Sequence, residues 1–140
     1  MADVIYNSFK VLSAEGSIDL EGDTVKAMLV TSSYTPDQDA HDYVDDVTNE
    51  VVGTGYTAGG ATLASKAVTQ DNTNDLAKFD ADDVTWSTAT ITARGAVLYK
   101  DTGTPGTSPV IAYIDFGSDK SSSADDFTIQ WHADGILTLS

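Results

Sequence analysis

Val84 to Tyr99 reads VTWSTATITARGAVLY. Val84 and Trp86 alternate with Thr85 and Ser87, and Ala89, Ile91 and Ala93 then alternate with Thr90, Thr92 and Arg94. Successive side chains of a strand point to opposite faces, so this period of two predicts a strand with one face in a core and one in water. From Ala96 to Tyr99 apolar residues occupy both faces, so a bulge is expected at Gly95. No helix has this pattern.

Working outward, Thr102 to Thr107 (TGTPGT) is a turn on its chemistry. Val110, Ala112, Ile114 and Phe116 are expected to share one face of the next strand, followed by a polar loop from Gly117 to Asp126. Phe127, Ile129 and Trp131 then alternate with Thr128, Gln130 and His132, which makes Trp86 and Trp131 core residues. Asp134-Gly135 is a hairpin signal leading into Ile136 to Leu139. Towards the N-terminus, Thr24 to Thr31 (TVKAMLVT) is dense in β-branched residues and predicts a buried strand. Pro36 to Asn49 predicts a long acidic loop with one helical turn. Gly53-Thr54-Gly55-Tyr56 and Ala58-Gly59-Gly60 predict a bend or bulge before a strand over Ala61 to Thr69. Ile5, Phe9 and Leu12 fall at helical spacing, with Asp3 as the expected cap and an end before Gly16. The expected fold is all-β: one β-sandwich or jelly-roll-like barrel over 1–140, with 1–15 a short N-terminal helix or arm.

The totals agree with one domain. Hydrophobic residues make up 41% of the 140 and aromatics 9%, enough for a packed core. Seven Lys+Arg stand against 22 Asp+Glu, a net charge of −15. Nucleic-acid affinity comes largely from Lys and Arg neutralising phosphates, so no nucleic-acid partner is expected. The absence of cysteine excludes disulfides and thiolate metal sites. No apolar run approaches the roughly 20 residues of a spanning helix, and the opening residues lack the pattern of a secretion signal. A protein made in a cytoplasm, with no membrane partner, is the expectation.

Candidate chemistry is sparse. Asp37, Asp39, His41, Asp42, Asp45 and Asp46 offer oxygen ligands for Ca²⁺, but Asp42 stands where an EF-hand requires glycine; Asp71, Thr73 and Asp75 fail the same test at Leu76. Asp80, Asp82 and Asp83 read as acidic turn residues. Neither His41 nor His132 belongs to a catalytic motif, and no G-x-S-x-G or phosphate-binding glycine pattern occurs. The expectation is a protein that is not an enzyme, without catalytic residues, cofactor or metal. Tyr34, Tyr43 and Tyr56 lie in or beside loops, as interface anchors or as a satellite cluster under a long loop.

Several stretches together resemble a family of small tailed-phage virion structural proteins. They are Val4 to Lys10, Lys26 to Pro36, Gly53 to Gly60, Phe79 to Trp86 and Tyr113 to Gly117, spread over nearly the whole chain. The resemblance implies a head decoration or capsid cement protein on the outer surface of the virion. Its expected partner is the major capsid protein, with a homo-oligomer, dimer or trimer, at each site. The alternative is a tail or fibre component in which loop aromatics and the segment 53–60 bind a host-surface glycan. The apolar N-terminal segment Ala2 to Phe9 (Val4, Ile5, Tyr6 and Phe9) together with Tyr34 is the expected contact with neighbouring subunits. On that expectation, removing residues 1–9 weakens particle binding and leaves a folded domain.

Overall fold

Two long strands organise the chain in its computed structural model, which describes residues 3–139. β6 (Val84–Lys100) and β7 (Val110–Ile129) form one antiparallel hairpin, closed by a short loop with a 3₁₀ turn at Pro105–Thr107. Around it are β1 (Val4–Ile5), α1 (Asn7–Ala14), β2 (Val25–Val30), β3 (Ala61–Thr62), β4 (Ala67–Asp71), β5 (Leu76–Asp80) and β8 (Leu137–Leu139). The strands make a five-stranded sheet, β1-β7-β6-β2-β3, and a three-stranded sheet, β4-β5-β8, with every pairing antiparallel. The fold is an all-β, sandwich-like pair of sheets with one short helix.

Alternation along the strands builds two cores. Val25, Ala27 and Leu29 of β2 face the second sheet, with Ala96 and Leu98 of β6 and Phe79 and Leu137 from across the sandwich. Met28, Val30, Val97, Tyr99, Val110 and Tyr113 point the other way and are covered by Tyr6 and Tyr34. Partly buried Val44 and Val47 of the long loop also pack there. Hence β2 is apolar on both faces except at Lys26, because both faces are buried from Ala27 onward.

The expected elements are present with five corrections. The chain is extended at Val4–Ile5, paired with Tyr113 and Ala112, so Ile5 is not part of the helix. The helix starts at Asn7, whose N–H donates to the Gln38 carbonyl at 3.1 Å, and Asp3 does not cap it. The strand expected over 61–69 is two strands, β3 and β4, either side of Ser65, which has φ 55°. Val110 faces the second cluster while Ala112 faces the main core, because the register slips between them and Ile111 is the extra residue. The expected polar loop over 117–126 is strand: Lys120, Ser121, Ser122 and Asp125 pair with Ala93, Thr92, Ile91 and Ala89. The expected bulge beside Gly95 is found. Between the pairs Ala93–Lys120 and Gly95–Asp115, Arg94 alone stands opposite residues 116–119.

Candidate functional site

The acidic loop is held by its own carboxylates. Asp37 Oδ1 accepts the N–H groups of Asp39 and Ala40, both at 3.0 Å, and Asp46 Oδ2 accepts those of Asp42 and Tyr43 at 2.9 and 3.2 Å. Two backbone donations hold the Asp46 carboxyl below the usual carboxylate range. Asp39 accepts from the Asn7 amide at 2.7 Å, tying the loop to the helix. Asp71 likewise holds the turn at Thr73 and Asn74. Among the described residues, no group of three or more His, Asp or Glu side chains is gathered as a metal site. These aspartates replace backbone partners that a loop lacks.

Of the aromatics in or beside the loops, Tyr34 is interior, Tyr56 is half-buried and Tyr43 is exposed. Tyr6, Phe9 and Tyr34 are at most 1% exposed. The Tyr6 and Tyr34 hydroxyls lie 2.8 Å apart, and the Tyr34 hydroxyl is 2.8 Å from His41 Nδ1, which also receives the Asp37 N–H. Burial pushes both phenols upward. As contacts with a neighbour, Tyr6, Phe9 and Tyr34 are therefore corrected: Tyr6 and Tyr34 belong to the cluster under the long loop, and Phe9 to the main core. Removing residues 1–9 would also remove β1 and two fully buried side chains, Tyr6 and Phe9, so the truncation is expected to cost stability as well as any contact. Val4 and Ile5 are only half-buried, on an edge strand. Ala2 lies outside the described residues.

The glycine-rich segment is likewise spent internally. Thr54 bridges Thr90, whose N–H donates to the Thr54 carbonyl at 2.9 Å. A Cβ on Gly53 would stand 2.5 Å from the Thr90 carbonyl oxygen, and one on Gly55 2.7 Å from Ala89 Cα. Only glycine lets this strap lie against β6.

The few cations also serve the fold. Lys26, Lys78, Arg94 and Lys100 each pair with an aspartate at 2.9–3.1 Å, and Lys66 donates to the Asp23 carbonyl. The best-buried of these carboxylates is Asp115, its side chain 2% exposed. Burial opposes its ionisation, but Arg94 Nε at 2.9 Å and the Gly117 N–H hold it down at about 2. With cations so engaged, the carboxylates that face water outnumber them further than composition alone says. Such a surface favours basic partners.

The described residues also form an open concavity that the sequence did not disclose. It is a groove of about 610 Å³ along the outer edge of β7, and a second hollow of about 380 Å³ continues it between β1 and β8. Half-buried Ile114 and Phe116 lie over Phe127, Ile129 and Ile136, giving an apolar floor. Asp3, Asp126 and Asp134 stand exposed at its rim with Lys120 and His132. Val4 and Ile5 line the hollow, so that part of the expected contact segment does border the open flank. The residues carry no nucleophile–base pair, and the geometry suits binding better than chemistry. No family model, curated protein or solved structure matches the chain.

Proposed function

We propose that this chain is a structural component of a tailed-phage particle: a capsid cement or decoration protein on the outer shell that bridges major capsid protein subunits. The supporting observation is an all-β body in which four of the seven cations pair with aspartates of its own fold while most carboxylates face water, several of them around an open apolar groove. The resemblance of Lys26 to Pro36 and Gly53 to Gly60 to virion structural proteins supports the same reading. The strong negative charge keeps many free copies soluble before assembly and keeps them off packaged nucleic acid. A clamp across two subunits adds interface area that must be broken before they separate. Dimers or trimers would make modest single contacts strong through effective concentration.

The test is localisation. Labelled protein added to particles lacking it should appear by electron microscopy at repeated lattice positions on the head. It should also raise the temperature at which the particles release DNA. A few copies confined to the tail, with binding to host-surface glycans, would favour the tail-component reading and overturn this one.

A further inference from the structure

The hairpin β6–β7 has two outer edges, and they are treated differently. The outer edge of β6 is paired with β2 over Gly95 to Lys100 and bridged by the glycine strap at Thr90. The outer edge of β7 is covered only where β1 pairs Ala112 and Tyr113, and where Asp3 accepts the Asp115 N–H at 2.7 Å. Beyond that, among the described residues, no strand pairs with β7 from residue 116 to Ile129. An uncovered edge presents a row of N–H and C=O groups able to pair with another chain. β8 has the same character on the facing sheet, since it pairs with β5 alone. The groove runs along the β7 edge, and the hollow that continues it reaches β8 at Leu137 and Thr138.

We propose that the β7 edge from Lys120 to Thr128 accepts an extended, basic segment of a partner protein as an added strand, its apolar side chains seated on Ile114, Phe116 and Phe127. Backbone pairing supplies affinity in such strand addition, and alternate side-chain positions supply selectivity. Ala124, at φ 49°, interrupts the stretch, so the edge offers two short runs, Lys120 to Ser123 and Asp125 to Thr128, on either side of a bulge. Charge decides the occupant. Among the described residues the rim carries Asp3, Asp126 and Asp134, and the strand itself adds Asp119 and Asp125, with Lys120 as the lysine set against them. A second copy would bring another net −15 against this rim, and like charges at an interface cost binding. A segment alternating Lys or Arg with β-branched residues matches both the apolar floor and the acidic rim. The inference rests on the reading above, in which the shell subunit supplies that segment.

The experiment uses the full chain, ¹⁵N-labelled, with three nine-residue peptides. One alternates Lys and Val, one alternates Glu and Val, and one is the Lys–Val peptide N-methylated at alternate residues, so that it cannot donate ladder hydrogen bonds. The Lys–Val peptide should slow amide exchange on β7 between Lys120 and Thr128 at least tenfold at low salt. The other two should leave it unchanged. Asp126→Lys with Asp134→Lys should weaken the Lys–Val peptide at least tenfold while leaving the melting temperature within a few degrees. Equal protection by the Glu–Val peptide, or protection that maps away from β7, would overturn the proposal. So would protection that appears without peptide as protein concentration rises, which assigns the edge to a second copy. Particle binding separates the two readings. If wild-type and the double variant decorate particles equally, strand addition fails and the structural role stands. If the peptide protects β7 but wild-type protein ignores particles, the edge stands and the virion role fails.

Discussion

The two halves of the β6–β7 hairpin have one backbone design and opposite surroundings. Near the closing loop, Ala96 and Leu98 face the main core while Val97 and Tyr99 face the cluster under the long loop, and all four are at most 4% exposed. Past the bulge at Arg94, Trp86, Ala89, Ile91 and Ala93 face the core, while Thr85, Thr90 and Thr92 are open to water. What differs is the cover. The long loop lies over the first half only, so the second half is a ribbon with one wet face. The hydrophobic pattern therefore records which neighbours a strand has, and adjacent residues on one strand make that difference measurable.

The largest expected effect follows from that contrast. In the doubly buried half, Leu98→Ala should cost about 2–5 kcal/mol and Val97→Ala about 1–3 kcal/mol, since each leaves a cavity on its own side of the sheet. Two neighbours both costing this much would be abnormal for a half-exposed strand. Denaturant unfolding of each variant measures it, and a negligible cost for Val97→Ala would mean that the loop does not seal the second cluster.

Next comes the joint between the halves. Arg94→Met should cost about 1.5–3 kcal/mol by removing the charge-assisted hydrogen bond that Arg94 Nε donates to the buried Asp115 carboxylate. The same pair sets an acid limit. Asp115 is held at about 2, below its ordinary 3.8. A depressed carboxylate contributes stability that is fully present above about pH 4 and is lost as pH falls towards 2. That contribution is on the order of 2 kcal/mol, so Asp115→Asn should flatten the stability decline between pH 4 and pH 2. An unchanged slope would assign acid unfolding to other carboxylates.

Smaller still is the latch of the loop that makes the first half dry. Tyr34→Phe removes the hydroxyl joining Tyr6 to His41 and should cost about 1–2 kcal/mol. Amide exchange should quicken in the residues 31–50 and stay unchanged in the ribbon beyond Arg94. Faster exchange throughout would show that loop and sheet open as one unit.

How much of this the sequence disclosed depends on whether a side chain or only the backbone carries the structure. The period of two in Val84 to Arg94 fixes that strand because the buried face needs apolar residues at alternate positions. Thr24 to Thr31 was legible for the opposite reason, with both faces buried. The stretch Lys120 to Asp126 was not legible. Its side chains are almost all exposed, and its strand character comes from backbone pairing with β6. That misreading also hid the groove, since an edge cannot be seen where no strand is assigned. Tyr6 and Tyr34 were recognisable as anchors, but which surface they hold depends on the return of the 31–50 loop over the sheet, a long-range event with no local signal. Asp3 looked like a helix cap until the pairing of Val4 and Ile5 pulled it to the Asp115 N–H.

The smallest expected effect completes the contrast on the wet face of the ribbon. Thr92 Oγ1 lies 2.8 Å from Ser121 Oγ, and Thr85 Oγ1 lies 2.9 Å from Thr128 Oγ1. Both pairs are solvent-exposed, and water replaces either hydroxyl's partner at little cost. Exposed substitutions of this kind fall within about 0.5 kcal/mol, and a cross-strand pair adds only about 0.2–1 kcal/mol over alanine. Thr92→Ala should therefore shift stability by less than about 1 kcal/mol, while Ile91→Ala, one residue earlier, should cost about 2–5 kcal/mol. The ratio between these neighbours is the quantity to measure, because it should be near one at Val97 and Leu98 and far from one here. Under the proposed function, Thr92→Ala should also leave particle binding unchanged, since it lies on the face of the ribbon and not on the β7 edge. A cost at Thr92 approaching that at Ile91 would mean that something covers this face, and a partner would then have to be sought there as well.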